Sequence, residues 1–166
     1  MVNVLGVDTS LRKTGVGVVS AEGSRMRSTF YGVIASPRTA PLSRCLSRLF
    51  EGVTELLDEW HPEAVAVEGA FFYRNAKTAM ILGEARGTVI AACACGGVPV
   101  YEYAPRRVKQ AVVGFGGAAK EQMREMMKAL LGLQEAPPED AADALAIAVC
   151  HLHSRTGHRA LMGEAI

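Results

Sequence analysis

The first third of the chain alternates short apolar runs with polar turns. Val2–Val7 is an apolar run that ends at Asp8, and Gly15–Ser20 is a second run behind a polar turn. Runs of this length bounded by turn residues predict a β-hairpin. Phe30–Ala35 lies beyond another polar turn and predicts a third strand, so three consecutive strands are expected to open the fold.

From Pro41 onward the spacing of the apolar residues becomes helical. They recur three and four positions apart over Pro41–Trp60, and the proline suits the first turn of a helix. Ala64–Val67 is then a continuous apolar strand that ends at Glu68, and Asn75–Ala94 returns to helical spacing. This alternation of strand and helix predicts an α/β fold.

The last third of the chain predicts one more strand and three helices. Val98–Tyr103 is the fifth strand. The helices are expected over Pro105–Val113, Ala118–Leu130 and Glu139–His153. This order predicts a five-stranded mixed sheet flanked by helices on both faces. A chain of 166 residues suits one domain, which we place at 1–153, with 154–166 as a mobile C-terminal tail.

The composition is that of a folded protein without a strong overall charge. Hydrophobic residues make up 49% of the chain and charged residues 21%, which argues against extended disorder and fibrous repeats. The formal net charge is only +1. Any binding of nucleic acid must therefore depend on where the charges are placed.

Cysteine usage and hydropathy favour a cytoplasmic protein. The four cysteines form no CxxC pair and no zinc-type spacing with histidine, so we expect reduced, buried thiols. The N terminus lacks the basic and long apolar regions of a signal peptide. Thr88–Val100, the most apolar later stretch, is too short to span a bilayer, so membrane insertion is not expected.

Four acidic residues stand where a site can form. Asp8 and Glu68 each end an apolar strand, and strand ends build the sites of open α/β sheets. Asp140 and Asp143 are three residues apart at the start of the last predicted helix and share one helical face. A helix cap explains Asp140 equally well by itself. Carboxylates that follow buried strands have no such simple structural explanation.

Carboxylates that share a crevice predict a metal site. An all-oxygen ligand set without paired His or Cys favours Mg²⁺ or Mn²⁺ over zinc. Two such ions, roughly 4 Å apart, can activate a water and stabilise the leaving oxygen of a phosphodiester. His151 and His153 end the last predicted helix and are expected to be a favourable C-terminal charge and a surface residue.

Four blocks of sequence, spread over nearly the whole chain, carry a family resemblance. In chain order they are Gly6–Asp8 with Thr14-Gly15, Val65–Glu68 with Phe71, Phe72 and Asn75, Leu82–Gly87, and Asp140–Ala146. Together they resemble the RuvC family of Holliday-junction resolvases, which have a ribonuclease H-like fold. The order and spacing of the blocks argue against chance agreement.

The resemblance implies a specific activity. Asp8, Glu68, Asp140 and Asp143 take the catalytic, metal-binding places, with two Mg²⁺ ions per active site that Mn²⁺ can replace. The implied enzyme is a structure-specific endodeoxyribonuclease that resolves Holliday junctions in homologous recombination and DNA repair. It acts as a homodimer whose paired, symmetric nicks leave 5′-phosphates. The RuvA–RuvB branch-migration complex is an expected partner.

The segment after Glu68 is a candidate DNA contact, because aromatic rings stack on or wedge between unpaired bases and cations hold phosphates. The candidate residues are Phe71, Phe72, Arg74, Asn75 and Lys77. The two phenylalanines could instead pack into the core at the start of the helix. We favour one ring in the junction and the other buried, and family similarity indicates Phe71 for the base contact.

A second candidate DNA contact is a basic strip over residues 101–130, where six Lys or Arg and three Glu give a local charge of +3. The candidate residues in it are Arg106, Lys109 and Lys120. Family similarity indicates that the two lysines lie close to the scissile strand, and the glycine loop 114–117 is expected to deliver the second of them. For Arg124 and Lys128, a solvated helix face with ordinary ion pairs is the better explanation.

Some positions depart from the family pattern, and two other classes of protein remain as alternatives. Thr9-Ser10, Val16, Gly69 and Phe115 differ from the residues common in relatives, which affects loop geometry but removes no metal ligand. Asp8–Gly17 also resembles the phosphate hairpin of sugar-kinase and actin-like ATP-binding proteins, although the chain is too short for their second lobe. A non-catalytic junction-binding protein would be marked by loss of a carboxylate, and all four are present.

Overall fold

One mixed sheet of six strands organises the computed structural model, which describes residues 1–69, 75–156 and 163–166. The strands are β1 (Val2–Asp8), β2 (Lys13–Glu22), β3 (Arg25–Ala35), β4 (Ala64–Glu68), β5 (Val100–Tyr103) and β6 (Glu164–Ala165). The helices are α1 (Leu42–Trp60), α2 (Ala76–Cys95), α3 (Pro105–Val113), α4 (Lys120–Leu131) and α5 (Glu139–Thr156). The predicted α/β class is confirmed, with one strand more than expected because β6 pairs with β5.

The directions of the strands place several strand ends at one edge of the sheet. The strand order is β3-β2-β1-β4-β5-β6, and β1 pairs antiparallel with β2 but parallel with β4. Because β1, β3, β4 and β5 run in the same direction, their carboxyl ends lie along one side, which we call the carboxyl edge. The register places Val7 beside Val67, so Asp8 and Glu68 leave the sheet next to each other.

Helices cover both faces of the sheet. On one face, α1 and α2 pack through a core cluster that includes Leu49, Val53 and Val89. On the other face, α3, α4 and α5 pack around Met127 and Leu145, both fully buried. The apolar positions of α1 and α4 recur at helical spacing, so each helix turns one side to the sheet and one to solvent.

Two glycines let α5 lie directly on the β1–β2 hairpin. A Cβ built on Gly6 would lie 1.9 Å from the carbonyl oxygen of Ala144, and one built on Gly15 would lie 1.9 Å from that of Asp140. Both obstacles are backbone atoms, which no side-chain rotation can move aside. The glycines therefore allow the first turns of α5, with Asp140 and Asp143, to approach the end of β1.

Element boundaries differ from the apolar pattern where polar residues extend an element. β3 begins at Arg25 rather than at Phe30, because its polar first half pairs with β2 across the hairpin. α4 begins at Lys120 rather than at Ala118, and the backbone N–H of Ala119 donates to the side chain of Gln122. Backbone pairing and capping of this kind involve polar residues, so the spacing of apolar residues does not predict them.

α5 ends with a buried histidine rather than an exposed charge. The helix continues to Thr156, so the first residues expected in the tail belong to it. His151 is 1% exposed, and its Nδ1 lies 2.8 Å from the hydroxyl of Tyr103. Burial lowers the pKa of His151 to about 4, so the ring is neutral near pH 7. The expectation of a helix-terminal charge is therefore wrong for His151, whereas His153 is exposed as expected.

We expect Gly6→Ala to destabilise the fold strongly. The added methyl group would overlap backbone atoms of α5, so the helix must shift and lose contacts with the sheet. The free energy of unfolding should fall by roughly 3 kcal/mol or more, measured by urea denaturation. Gly117→Ala is the matched control, because its new Cβ would meet only Phe115 at 3.9 Å and should change stability by less than about 0.5 kcal/mol. Equal stability of the two variants would contradict this account of the packing.

Candidate active site

A pocket of about 300 Å³ opens at the carboxyl edge and is lined by three acidic and two basic side chains. These side chains belong to Asp8, Glu68, Lys109, Lys120 and Asp143. The acids come from the ends of β1 and β4 and from the second turn of α5, and the lysines come from α3 and from the first residue of α4. Five separate elements thus converge on one small volume.

The fourth predicted acid lies at the margin of this pocket. Asp140 is half-buried in the first turn of α5 and is not among the residues that line the pocket. Its carbonyl oxygen packs against Gly15, next to the end of β1. Its charge nevertheless acts on both Asp8 and Asp143, so it belongs to the same electrostatic group.

Burial and mutual repulsion raise the pKa of three of these carboxyl groups. The pKa of Asp8 rises from 3.8 to about 7, first because of burial and then because of the charges of Asp143, Glu68 and Asp140. Burial and Asp143 raise the pKa of Glu68, and burial, with Glu139 and Asp140, raises that of Asp143. The folded chain therefore holds negative charge in a place where water and nearby cations compensate it incompletely.

The two lysines compensate part of this charge. Lys109 lowers the pKa of Glu68 and Asp143, and Lys120 lowers that of Asp8 and Asp143. Lys120 also forms an ion pair with Glu139, whose hydrogen bond raises the pKa of the lysine. Because the Lys120 side chain is 69% exposed, this pair adds little stability and can exchange for another anion.

The donor set fits a hard divalent cation. All the acidic ligands offered are oxygens, and no cysteine or histidine lines the pocket. Within residues 1–69, 75–156 and 163–166, no group of three or more His, Cys, Asp or Glu side chains is arranged closely enough to hold an ion as it stands. Repelling carboxylates gain nothing by converging without a cation, and a dication would relieve the repulsion that raises the pKa of Asp8.

A second ion pair lies beside the backbone just past Glu68. Arg86 on α2 pairs with Glu102 on β5, and both side chains are partly buried. A Cβ on Gly69 would lie 2.9 Å from the Glu102 carboxylate, so the absence of a side chain at Gly69 leaves room for this pair. Sequence reasoning missed it, since Arg86 was noted only within a family block and Glu102 only as one charge of the basic strip.

Of the five DNA contacts predicted after Glu68, the structure describes two. Phe71, Phe72 and Arg74 lie outside the described residues. Asn75 caps α2, because its side chain accepts from the backbone N–H groups of Lys77 and Thr78. Lys77 is exposed at the carboxyl edge.

The basic strip divides into pocket residues and surface residues. Lys109 and Lys120 line the acidic pocket, whereas Arg106 is exposed on α3 and packs against Gly116. Arg124 pairs with Glu121 at 2.9 Å, as the ion-pair interpretation predicts. Of the basic residues in the strip, only Lys109 and Lys120 therefore line the pocket with the acids.

α2 exposes an apolar surface outside the pocket. By length and composition alone it could cross a membrane, and 22% of its most apolar window is buried. Met80 is 67% exposed, and Gly83, Gly87 and Ala91 are exposed on the same side. Cys95, which ends α2, is also exposed, whereas the other three cysteines are buried as expected. Core packing thus accounts for only part of the hydropathy of α2.

The family model, the similar sequences and the similar solved structure all point to one protein family. The family described as crossover junction endodeoxyribonuclease RuvC matches residues 4–151. The protein of that name from Halorhodospira halophila is 48% identical over 156 residues, covering 94% of this chain and 93% of its own length. The one from Rubrobacter xylanophilus is 49% identical over 152 residues, covering 91% and 85%. A solved structure of Thermus thermophilus RuvC in complex with a Holliday junction substrate is 39% identical, has a TM-score of 0.92 and covers both chains completely.

We expect Asp8→Asn to stabilise the metal-free protein at neutral and higher pH. A carboxyl whose pKa rises from 3.8 to about 7 on folding binds more protons in the folded state between those values. The free energy of unfolding of the parent should therefore fall as the pH rises through that range. In EDTA at about pH 8, the variant should gain on the order of 1–3 kcal/mol, or roughly 3–10 °C in Tm by circular dichroism, and the gain should vanish near pH 4.

The control for this measurement is Glu55→Gln, which removes an exposed carboxylate from α1. It should change stability by less than about 0.5 kcal/mol over the same pH range. A pH dependence of the Asp8→Asn variant equal to that of the parent would show that Asp8 does not carry the repulsion.

Proposed function

Because this chain belongs to the RuvC family of crossover junction endodeoxyribonucleases, we propose that it resolves Holliday junctions by cutting two of their strands. The observation that carries the proposal is the convergence of Asp8, Glu68 and Asp143 in one pocket with two lysines. A cluster of repelling acids at a strand edge costs stability, and a binding site for cations and phosphate explains why it is kept.

The proposed metal ligands are the four acids Asp8, Glu68, Asp140 and Asp143. When bound between them, two Mg²⁺ ions, or Mn²⁺ in their place, supply Lewis acidity that activates water and stabilises a leaving oxygen. Asp8 and Glu68 lie at adjacent strand ends, and Asp143 lies on the turn of α5 that faces them. Small rotations of these side chains can therefore bring their carboxylate oxygens together around a cation. Asp140 completes the set from the margin of the pocket.

The proposed reaction is the hydrolysis of one phosphodiester per subunit. The water oxygen bonds to phosphorus, the bond between phosphorus and O3′ breaks, and O3′ takes up a proton. The products are a 5′-phosphate and a 3′-hydroxyl. Lys109 and Lys120 are placed to hold the non-bridging oxygens of the phosphate, because both line the pocket beside the acids. The Lys120–Glu139 pair keeps the second lysine near the pocket until a phosphate replaces the glutamate.

Further DNA contacts are proposed on both sides of this pocket. Lys77 and Arg106 are exposed and can reach phosphates. Arg74 is proposed as a further phosphate contact on the basis of its place in the sequence. Asn75 supports the contact region by capping α2. Phe71 and Phe72 are proposed to divide between base contact and packing, with Phe71 against the bases.

A homodimer is proposed to supply the second cut, with the exposed side of α2 as its interface. Gly83, Gly87 and Ala91 are four residues apart along the helix and allow a partner helix to approach closely. Burial of Met80 against a second copy would also remove a large exposed apolar side chain from water. Two-fold symmetry then places two identical sites on a four-way junction, which explains paired, symmetric nicks.

The cellular setting follows from the same proposal. We place the enzyme in the cytoplasm, where it acts in homologous recombination and DNA repair. The RuvA–RuvB branch-migration complex is the partner that would present junctions to it. A mixture of these proteins on one junction, analysed by size-exclusion chromatography, tests that association.

We expect Asp8→Asn to abolish cutting while junction binding is retained. The substitution removes a metal ligand at the centre of the acidic group but leaves the lysines in place. Cleavage of a synthetic four-way junction in Mg²⁺ should fall by at least about 10³-fold, and binding in EDTA should be at least as tight as in the parent. Glu55→Gln is the control and should cut at the parental rate.

The result also separates the competing functions. A parent protein that hydrolyses ATP and leaves junctions intact would support an ATP-binding function instead. A parent that binds junctions without cutting them in any divalent cation would indicate a non-catalytic binding protein. Cutting by Asp8→Asn at the parental rate would show that the metal assignment is wrong.

We expect Phe71→Ala to weaken cleavage more than junction binding. Loss of a ring that holds bases apart leaves the phosphate contacts intact but removes the distortion that brings a phosphodiester to the metals. The single-turnover cleavage rate should drop by about tenfold or more, while Kd changes by less than about threefold. Phe72→Ala is the matched comparison and should mainly lower Tm. Unchanged cleavage by Phe71→Ala would assign this ring to packing.

A further inference from the structure

A second region of positive charge lies at the carboxyl edge, outside the lining of the acidic pocket. From Ser28 to Phe50 the chain has three arginines and no acidic residue, although the whole protein carries a net charge of only +1. The arginines are Arg38, Arg44 and Arg48, and all three are exposed. Positive charge is therefore concentrated where β3 passes into α1.

The topology places this region beside the proposed metal site. β3 is two strands away from β1 and ends at the same edge, with Ala35 paired to Lys13. Neighbouring strands are about 4.8 Å apart, so the end of β3 lies roughly 10 Å to the side of Asp8. This distance is smaller than the width of the major groove of DNA, about 12 Å, so a single arm of a junction can span both places.

Arg12 attaches the region to the loop that follows Asp8. Its guanidinium donates to the carbonyl oxygens of Pro37 and Ala40, with the Ala40 contact at 3.0 Å. The backbone N–H of Ser36 also donates to the carbonyl oxygen of Arg12 at 3.0 Å. These bonds hold the connection between β3 and α1 in a defined position relative to the metal site.

The connection and the first turns of α1 enclose a groove of about 370 Å³, which we call the α1 groove. Arg44 and Arg48 are one helical turn apart on its wall, with Ser36 and Ser47 beside them. Glu51 also lines the groove, but Ser47 donates to its carboxylate at 2.9 Å. Their Cβ atoms are therefore about 6 Å apart, so both side chains can reach phosphates of the same DNA strand. The Nε of Arg48 donates to the carbonyl oxygen of Ala35, which holds this guanidinium at the end of β3.

We propose that the α1 groove binds the phosphate backbone of a junction arm next to the strand that is cut. This inference rests on the proposed function and adds a contact surface separate from the segment after Glu68 and from the basic strip on α3 and α4. A rigid attachment through Arg12 makes the groove a second holding point, so one arm is gripped on both sides of the metal site. The contact is to phosphate and carries no base specificity.

The test is the salt dependence of junction binding by the variant Arg44→Gln/Arg48→Gln. Binding to a synthetic four-way junction is measured in EDTA over a series of KCl concentrations. The slope of log K against log[salt] is negative, and each lost phosphate contact reduces its magnitude by about 0.9. We therefore expect the magnitude to decrease by about 1–2 and binding near 0.1 M salt to be roughly tenfold weaker.

The matched control is Arg25→Gln/Arg27→Gln, which removes the same charge from the β2–β3 hairpin at the opposite end of the sheet. It should leave the slope unchanged. A slope in Arg44→Gln/Arg48→Gln equal to that of the parent would overturn the proposal, as would an equal decrease in both double variants. Arg44→Glu, a single change at an exposed position, answers the same question if the double variant does not fold.

Failure of this inference is distinguishable from failure of the proposed function. A parent protein that cuts junctions in Mg²⁺, combined with an unchanged salt slope, removes the α1 groove from the DNA surface and leaves the nuclease proposal intact. Junctions with one arm shortened give an independent readout. The parent should lose affinity once the arm is too short to reach the groove, and the double variant should not; equal sensitivity of both proteins to arm length would overturn the proposal.

Discussion

Repulsion among carboxylates held in one place is the interaction on which the site depends. The backbone brings Asp8, Glu68 and Asp143 to one pocket, and burial there raises the pKa of Asp8 to about 7. If these acids are the metal ligands, as proposed, cation binding would relieve the repulsion, and a structural cost would become affinity for metal. The lysines at the rim reduce the repulsion without removing it, and they leave positive charge facing an incoming phosphate.

Backbone packing rather than side-chain bonding supports that arrangement. Parallel pairing of β1 with β4 sets Asp8 beside Glu68, and glycines at Gly6 and Gly15 let α5 lie against the hairpin. Because rigid main-chain contacts determine how near α5 can come, the acids remain close although they repel one another. Past Glu68 the backbone is held in the same way, because the N–H of Gly69 donates to the carbonyl oxygen of Tyr103 at 2.8 Å. The stability of the core thus offsets the strain of the site.

Local charge explains how a nearly neutral protein can bind a polyanion. Two groups of positive side chains lie along the carboxyl edge, one on α3 and α4 on one face of the sheet and one around the start of α1 on the other. The acids lie between these two regions. In the proposed function, a DNA arm attracted by these two basic regions would be directed toward the acids between them.

The sequence by itself determined the α/β class, the order of the elements from β1 to α5, and the meeting of Asp8, Glu68 and Asp143, because apolar periodicity and strand-end carboxylates are local signals. Tertiary structure alone decided that Asp140 lies at the margin, that Arg86 pairs with Glu102, and that His151 is buried against Tyr103. It also brought Arg12 onto the connection between β3 and α1. These contacts join residues far apart in the chain, and no spacing rule encodes which distant side chains a sheet register will bring together.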